Sequence, residues 1–182
     1  IASHQIALSC AAMTFMFALG IAMAACIRVG QAWGAGQFAR LRRIGFVGVA
    51  LAAGTMGFFG VVFVVAREPL ARLFVTSATV VDLTAQLLLV AAVFQIADGI
   101  QVAAISALRG LNDVRVPALI AALAYWVIAV PFGCVLAFPL RLGAVGIWIG
   151  LATGLGAAAV CLLWRFHRKT QISDQAPGLG AG

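Results

Sequence analysis

Five long runs of apolar residues divide the chain, and each is long enough to cross a lipid bilayer. A helix rises about 1.5 Å per residue and the hydrocarbon core is about 30 Å thick, so about 20 apolar residues span it. The runs are too long and too continuously apolar for barrel strands, in which apolar and polar residues alternate. The sequence therefore predicts an all-α integral membrane protein with five transmembrane helices. They cover residues 5–27, 44–66, 80–108, 117–138 and 143–164.

The scarcity of charge also favours lipid as the solvent of this chain. Charged residues make up only 9% of the sequence, whereas soluble domains carry about 25%. The net charge of +7 would suit a nucleic-acid partner if the basic residues formed a continuous face. They are instead confined to short gaps between the apolar runs. We therefore expect the lipid bilayer to be a partner, and we expect no nucleic acid.

The distribution of basic residues between the gaps predicts the direction of the helices. Lysine and arginine concentrate on the cytoplasmic side of membrane proteins. Nine of them follow the first, third and fifth runs, and three lie on the other side. The chain is thus expected to start outside and end inside, with residues 166–182 as a disordered cytoplasmic tail. The nine are Arg28, Arg40, Arg42, Arg43, Arg109, Arg115, Arg165, Arg168 and Lys169.

Small residues and one proline predict how the helices pack. Gly146, Gly150 and Gly154 recur every four residues and form a flat strip where a neighbouring backbone can approach closely. We expect this strip to pack within one polypeptide; the alternative is a dimer interface. Pro131 lies inside the fourth run and removes one backbone hydrogen bond, so a kink is expected there. A second set of glycines lies in the second run, at Gly54, Gly57 and Gly60.

Asp98 is the one acid well inside an apolar run. It precedes Leu108, the inner end of the third run, by ten residues, or about 15 Å, which places it near the bilayer midplane. A charge at that depth costs roughly 2.5–3.5 kcal/mol. Gln95 and Gln101 flank it at three-residue spacing and extend a polar stripe along the helix. We expect this stripe to face a cavity, so both glutamines are candidates for lining it. This pattern favours a proton- or cation-binding carboxylate; the alternative is a neutral acid that only braces a partner helix.

Three aromatic residues are candidates for lining a cavity beside this stripe. Phe94 lies on the same run as Asp98, and Tyr125 and Trp126 lie on the fourth run. The alternative is that these rings face lipid or neighbouring helices.

The sequence predicts no enzyme. His4 and His167 lie at opposite ends of the chain, and the four cysteines show no metal-ligand spacing. We therefore expect no cofactor, and no metal other than a cation bound at Asp98.

The region around Asp98 carries the most specific motif in the chain, and shorter motifs lie near the start. Together they resemble the multidrug and toxic compound extrusion (MATE) transporters, in the NorM-type branch, over about residues 1–165. The motifs are FQIADGIQ at 94–101, ALRG at 107–110, D-x-R-x-P at 113–117, ASHQIA at 2–7 and IRVG at 27–30.

The resemblance implies a fold of twelve helices in two bundles of six, with this chain supplying helices eight to twelve. It implies that Asp98 is the coupling acid of a sodium- or proton-driven antiporter that exports cationic drugs and other xenobiotics. It also implies a multi-pass protein of the bacterial plasma (inner) membrane with its C-terminus in the cytoplasm. Because the chain begins with Ile1, we expect N-terminal helices of the same protein to complete the fold.

Two other functions remain open. A lipid-linked oligosaccharide flippase of the same superfamily is one, although no run has Arg or Lys at its centre to hold a pyrophosphate. The other is a non-transporting membrane fragment that acts by packing against a partner.

Overall fold

The computed structural model describes residues 2–75 and 77–175, and within them every regular element is helical. Five helices are long and apolar enough to cross a membrane, which confirms the predicted all-α architecture. The fourth is continuous over Arg115–Ala137 and has a π-helical segment in its middle. In chain order the elements are α1 (Ala2–Gly34), α2 (Phe38–Val65), α3 (Arg67–Phe74), α4 (Ala78–Gly110), α5 (Arg115–Leu123), the π-helical segment (Ala124–Ala129), α6 (Val130–Ala137) and α7 (Gly143–Gln175).

Helix α7 continues well beyond the apolar run that predicts it. Residues 166–175 are helical, which differs from the disordered tail expected from residue 166. The physical reason is packing, because Phe166 is fully buried and its ring lies against Gly45 of α2. Thr170 is also buried, and its hydroxyl donates a hydrogen bond to the Phe166 carbonyl. Residues 176–182 of the predicted tail lie outside the described residues.

Helix α4, which carries Asp98, lies at the centre of the bundle and packs along α1, α2 and α7. Small residues make these contacts close. A Cβ atom on Gly110 would lie 2.6 Å from the carbonyl oxygen of Cys26 on α1, and one on Gly99 would lie 3.2 Å from that of Ala52 on α2. In lipid, helices associate through such close packing rather than through the hydrophobic effect.

The glycine strip of α7 packs against the fourth span, so it acts within one polypeptide as predicted. A Cβ atom on Gly154 would lie 2.9 Å from the carbonyl oxygen of Ala124, and one on Gly150 would lie 2.8 Å from that of Ala129. Gly146 meets the backbone of α6 at Ala137 in the same way.

The glycines of α2 do not behave as one strip. A Cβ atom on Gly60 would lie 3.0 Å from the carbonyl oxygen of Ala92 on α4, so this glycine serves helix packing. Gly54 and Gly57 face open space instead.

The disruption predicted at Pro131 takes the form of the π-helical segment just before it. Pro131 has no N–H to donate, and in the preceding turn the Val130 N–H bonds to the carbonyl of Tyr125, five residues back. A turn of this kind accommodates one extra residue and so rotates the side chains on its two sides relative to each other. It carries both Tyr125 and Trp126.

The C-terminal ends of α1, α4 and α7 meet at one end of the bundle. A Cβ atom on Gly30, near the end of α1, would lie 3.5 Å from the carbonyl oxygen of Gly110 at the end of α4. Just beyond α4, Asp113 pairs with Arg165 of α7. The nine basic residues thus share one end of the bundle, which is named the basic end below. That this end is cytoplasmic stays a prediction.

Candidate functional site

Asp98 lies near the middle of the α4 span, Val80–Gly110, and its side chain is half-buried. Its neighbour Gly99 is buried against α2. Consecutive helical residues point about 100° apart, so Asp98 is turned away from that contact. In the part of the chain that the structure describes, the Asp98 carboxylate has no hydrogen-bond or salt-bridge partner. A bracing role for this acid therefore lacks a partner among these residues.

Gln95, one turn before Asp98, holds three helices together. It is 2% exposed, and its Nε2 donates to the Met56 carbonyl on α2 at 3.2 Å. Its Oε1 accepts a hydrogen bond from the Thr14 hydroxyl on α1 at 2.9 Å. Because both ends of the amide are engaged, Gln95 stabilises the contact of α1, α2 and α4 and is not free to contact a drug.

Gln101, one turn after Asp98, is arranged differently. Its side chain is buried, and within residues 2–75 and 77–175 no donor satisfies its Oε1 atom. The Tyr125 side chain, from the π-helical segment, is half-buried beside Gln101 and lies within electrostatic reach of Asp98. These three residues are called the Asp98 cluster. It presents a carboxylate, an unsatisfied amide oxygen and a phenol near the middle of the span.

The other two predicted aromatic residues lie elsewhere. Trp126 is 74% exposed at the surface of the bundle. Phe94 packs edge to face on Trp148 of α7, with ring centroids 5.6 Å apart. Trp148 in turn donates its indole N–H to Nδ1 of His4 at 3.0 Å. Phe94 thus belongs to a packed aromatic contact, and it does not join the Asp98 cluster.

A buried ion pair lies at the basic end and involves Asp113, which in the sequence is only one position of the D-x-R-x-P motif. Asp113 is 7% exposed, and its Oδ2 accepts from Nε of Arg165 at 2.8 Å and lies 3.3 Å from Nζ of Lys169. Burial alone would raise the pKa of Asp113, but the hydrogen bonds and charges of Arg165 and Lys169 lower it below its ordinary value. The spacing of 52 residues between Asp113 and Arg165 gave no local signal of this pair.

Among the residues that the structure describes, no group of three or more His, Cys, Asp or Glu side chains is arranged to hold a metal ion. His4 and His167 lie at opposite ends of the bundle, where they contact Trp148 and Arg42 respectively.

Comparisons with known proteins place these features in one family. The chain is 47% identical over 175 residues to a probable multidrug resistance protein NorM from Rhodopseudomonas palustris. This match covers 94% of this chain and 37% of the relative. It is also 45% identical over 182 residues to the multidrug resistance protein NorM of Burkholderia vietnamiensis. That match covers 97% of this chain and 39% of the relative. The chain therefore spans less than two fifths of the length of these relatives.

A solved structure shows the same fold. The bundle matches the crystal structure of the eukaryotic MATE transporter AtDTX14 with a TM-score of 0.84 and 21% sequence identity, over 97% of this chain and 41% of that one. The model of the MatE family matches residues 1–135, which is more than half of the chain and includes α4 with the Asp98 cluster. The chain therefore belongs to the MatE family.

Proposed function

We propose that this chain supplies five helices to a cation-coupled antiporter that exports cationic drugs and other xenobiotics. Family membership and the multidrug resistance relatives support this proposal. The observation that carries it is the Asp98 cluster, with an unpartnered carboxylate beside the unsatisfied Oε1 of Gln101 near the middle of a membrane span, among the described residues. Ionisable groups at that depth are costly, and in transporters they mark the path of ions and substrates.

The cluster suits the chemistry of a monovalent coupling ion. The carboxylate of Asp98, the unsatisfied Oε1 of Gln101 among the described residues and the phenol of Tyr125 supply oxygen atoms, which are the ligands that hard cations prefer. A proton carried on Asp98 would serve the same role. In either case the carboxylate holds one positive charge from the coupling ion or from the drug, so binding of one weakens binding of the other. This negative coupling is what exchange requires.

The proposal requires further helices, because this chain spans less than two fifths of the length of its multidrug resistance relatives. We propose that helices encoded upstream in the same protein provide the second wall of the drug cavity, since Asp98 is half-buried on the present bundle. The basic end faces the cytoplasm of a bacterial cell in this proposal, which places the protein in the inner membrane with its C-terminus inside.

The two alternative functions have weaker support. A flippase for pyrophosphate-linked sugars would need basic residues in its cavity, and the described spans carry Arg and Lys only near their ends. A fragment that acts by packing alone gives no account of an unpartnered acid in the middle of α4.

Gradient-driven efflux from vesicles tests the proposal. The complete protein that contains this chain is reconstituted, loaded with ethidium and given an inward sodium or proton gradient. Asp98→Asn keeps the size and hydrogen-bonding capacity of the side chain but removes its charge. We expect it to reach the membrane and to lose gradient-driven efflux, whereas Asp98→Glu retains part of it. Efflux by the Asn variant at the rate of the unmodified protein would show that Asp98 is only structural.

A further inference from the structure

The basic end of the bundle carries a cleft between α1 and α2 whose two parts differ sharply in chemistry. The first part is an apolar groove of about 600 Å³. It descends from Arg28, Arg40 and Arg43 along apolar side chains that include Val47 and Leu51. The second part is an adjoining cavity of about 350 Å³ that shares Arg28 and Arg40 and is lined by polar groups, among them Gln31 and Gln37.

The dimensions of the groove match one leaflet of a bilayer. Arg40 and Leu51 are 11 residues apart on α2, which is about 16 Å along a helix. Half of a hydrocarbon core of about 30 Å is about 15 Å. The groove therefore starts where arginines would meet the headgroup region and ends near the middle of the membrane.

The arginines at the mouth of the groove have no anionic partner of their own among the described residues. Arg40 donates to the neutral Oε1 of Gln37 at 3.1 Å. Neither Arg28 nor Arg43 pairs with a carboxylate in the same part of the chain. Asp113, which also lies at the basic end, is engaged by α7. Three arginines thus line one groove without compensating negative charge from the described side chains.

We propose that this cleft is a binding site for an anionic phospholipid of the phosphatidylglycerol class. The phosphate lies among Arg28, Arg40 and Arg43, since guanidinium groups bind phosphate oxygens through paired, charge-assisted hydrogen bonds. The headgroup hydroxyls lie in the polar cavity beside Gln31 and Gln37, and one acyl chain follows the groove toward Leu51. Basic sites of this kind between transmembrane helices are known to hold anionic headgroups. The site is separate from the Asp98 cluster and does not depend on the proposed transport.

Native mass spectrometry of the complete protein in a mild detergent tests the assignment. Phosphatidylglycerol and phosphatidylcholine of equal chain length are titrated in parallel. We expect a discrete phosphatidylglycerol adduct that forms at roughly tenfold lower lipid concentration than the phosphatidylcholine adduct. Arg28→Gln combined with Arg43→Gln should weaken the adduct roughly 10- to 30-fold. The matched control is Arg109→Gln with Arg115→Gln, which removes the same charge at the same end but lies outside the cleft. It should leave the adduct unchanged.

Two further arms distinguish a lipid site from a simple anion site. Ala24→Trp fills the apolar groove and leaves the arginines in place, so phosphatidylglycerol binding should fall with it. Inorganic phosphate should compete poorly, because it gains nothing from the groove. If the two double variants lose phosphatidylglycerol binding equally, the lipid is attracted by the charge of the whole surface and not by the cleft. If inorganic phosphate competes fully, the arginines form an anion site that does not bind a lipid chain. Absence of any adduct would mean that another part of the protein occupies the cleft. Each of these results would overturn the proposal.

Discussion

Nε of Arg165 on α7 donates a hydrogen bond to Oδ2 of Asp113 at 2.8 Å. This contact joins the loop between α4 and α5 to α7, the last helix of the bundle. Lys169, one turn further along α7, adds a second cation at 3.3 Å. Two elements far apart in the sequence are thus held together at the basic end by one buried carboxylate.

Replacing this carboxylate should destabilise the bundle. Asp113→Asn removes the negative charge that Nε of Arg165 contacts at 2.8 Å, and loss of a largely buried charged hydrogen bond costs about 1–3 kcal/mol. Thermal unfolding of the complete protein in detergent should show a clearly lower midpoint. The matched control is Glu68→Gln, which breaks an exposed pair with Arg72 at 4.0 Å and should leave the midpoint unchanged. Equal midpoints for Asp113→Asn and the unmodified protein would mean that the pair contributes nothing.

The same pair should make stability depend on pH in the acid range. The pKa of Asp113 is lowered in the folded protein, so the folded state favours the ionised carboxylate. The resulting stability is fully present above the unfolded pKa, about 3.9, and is lost as pH falls through the lower folded pKa. The difference in unfolding midpoint between the unmodified protein and Asp113→Asn should therefore be constant near neutral pH and shrink below about pH 4. A difference that grows on acidification would contradict this assignment.

The transmembrane helices can be predicted from the sequence, because a helix must supply about 20 apolar residues to cross the bilayer. The same constraint makes Asp98 conspicuous in the sequence alone. The contacts made by the residues around Asp98 cannot be predicted in this way, because they depend on how the helices pack against one another. Gln95 meets Thr14, which is 81 residues away. The π-helical segment sets Tyr125 toward the cluster and leaves the adjacent Trp126 exposed, a distinction that a regular helical pattern does not contain.

Tyr125 should contribute to binding of the coupling cation and Trp126 should not. Tyr125→Phe removes only the phenolic oxygen near Gln101 and Asp98, and loss of one such contact corresponds to about 1 kcal/mol, or roughly fivefold in affinity. In reconstituted vesicles, the sodium or proton concentration for half-maximal efflux should shift by about that factor. Trp126→Phe, on the exposed surface, should leave it unchanged. If both variants shift it equally, the effect comes from the helix and not from the cluster.

The turn between α1 and α2 should face the cytoplasm. It joins Gly34 to Phe38 at the basic end, and Gln37 within it is exposed. In a cysteine-free background of the complete protein, Gln37→Cys should resist a membrane-impermeant thiol reagent in intact cells and react once the membrane is opened. Arg72→Cys, exposed at the opposite end on α3, is the control that should react from outside. Rapid labelling at residue 37 in intact cells would reverse the orientation.

Two glycines on α7 should respond oppositely to the same substitution. Alanine has the higher helix propensity by up to about 1 kcal/mol, so Gly→Ala should stabilise a helix wherever the new methyl group has room. Among the described residues, a Cβ atom on Gly156 would meet no atom of a neighbouring helix within 4 Å, whereas one on Gly150 would lie 2.8 Å from the carbonyl oxygen of Ala129. Backbone atoms cannot move aside as a flexible side chain does, and overpacking typically costs about 1–3 kcal/mol.

Thermal unfolding of both variants in the complete protein therefore separates propensity from packing. Gly156→Ala should leave the midpoint unchanged or raise it, and Gly150→Ala should lower it by forcing α7 away from the fourth span. The second change would also disturb the π-helical segment that holds Tyr125, so Gly150→Ala should weaken coupling-ion binding while Gly156→Ala does not. If both variants are equally stable, the close contact between α7 and the fourth span does not set the geometry of the bundle. If Gly150→Ala unfolds more easily but binds the ion normally, that contact supports the fold without positioning Tyr125.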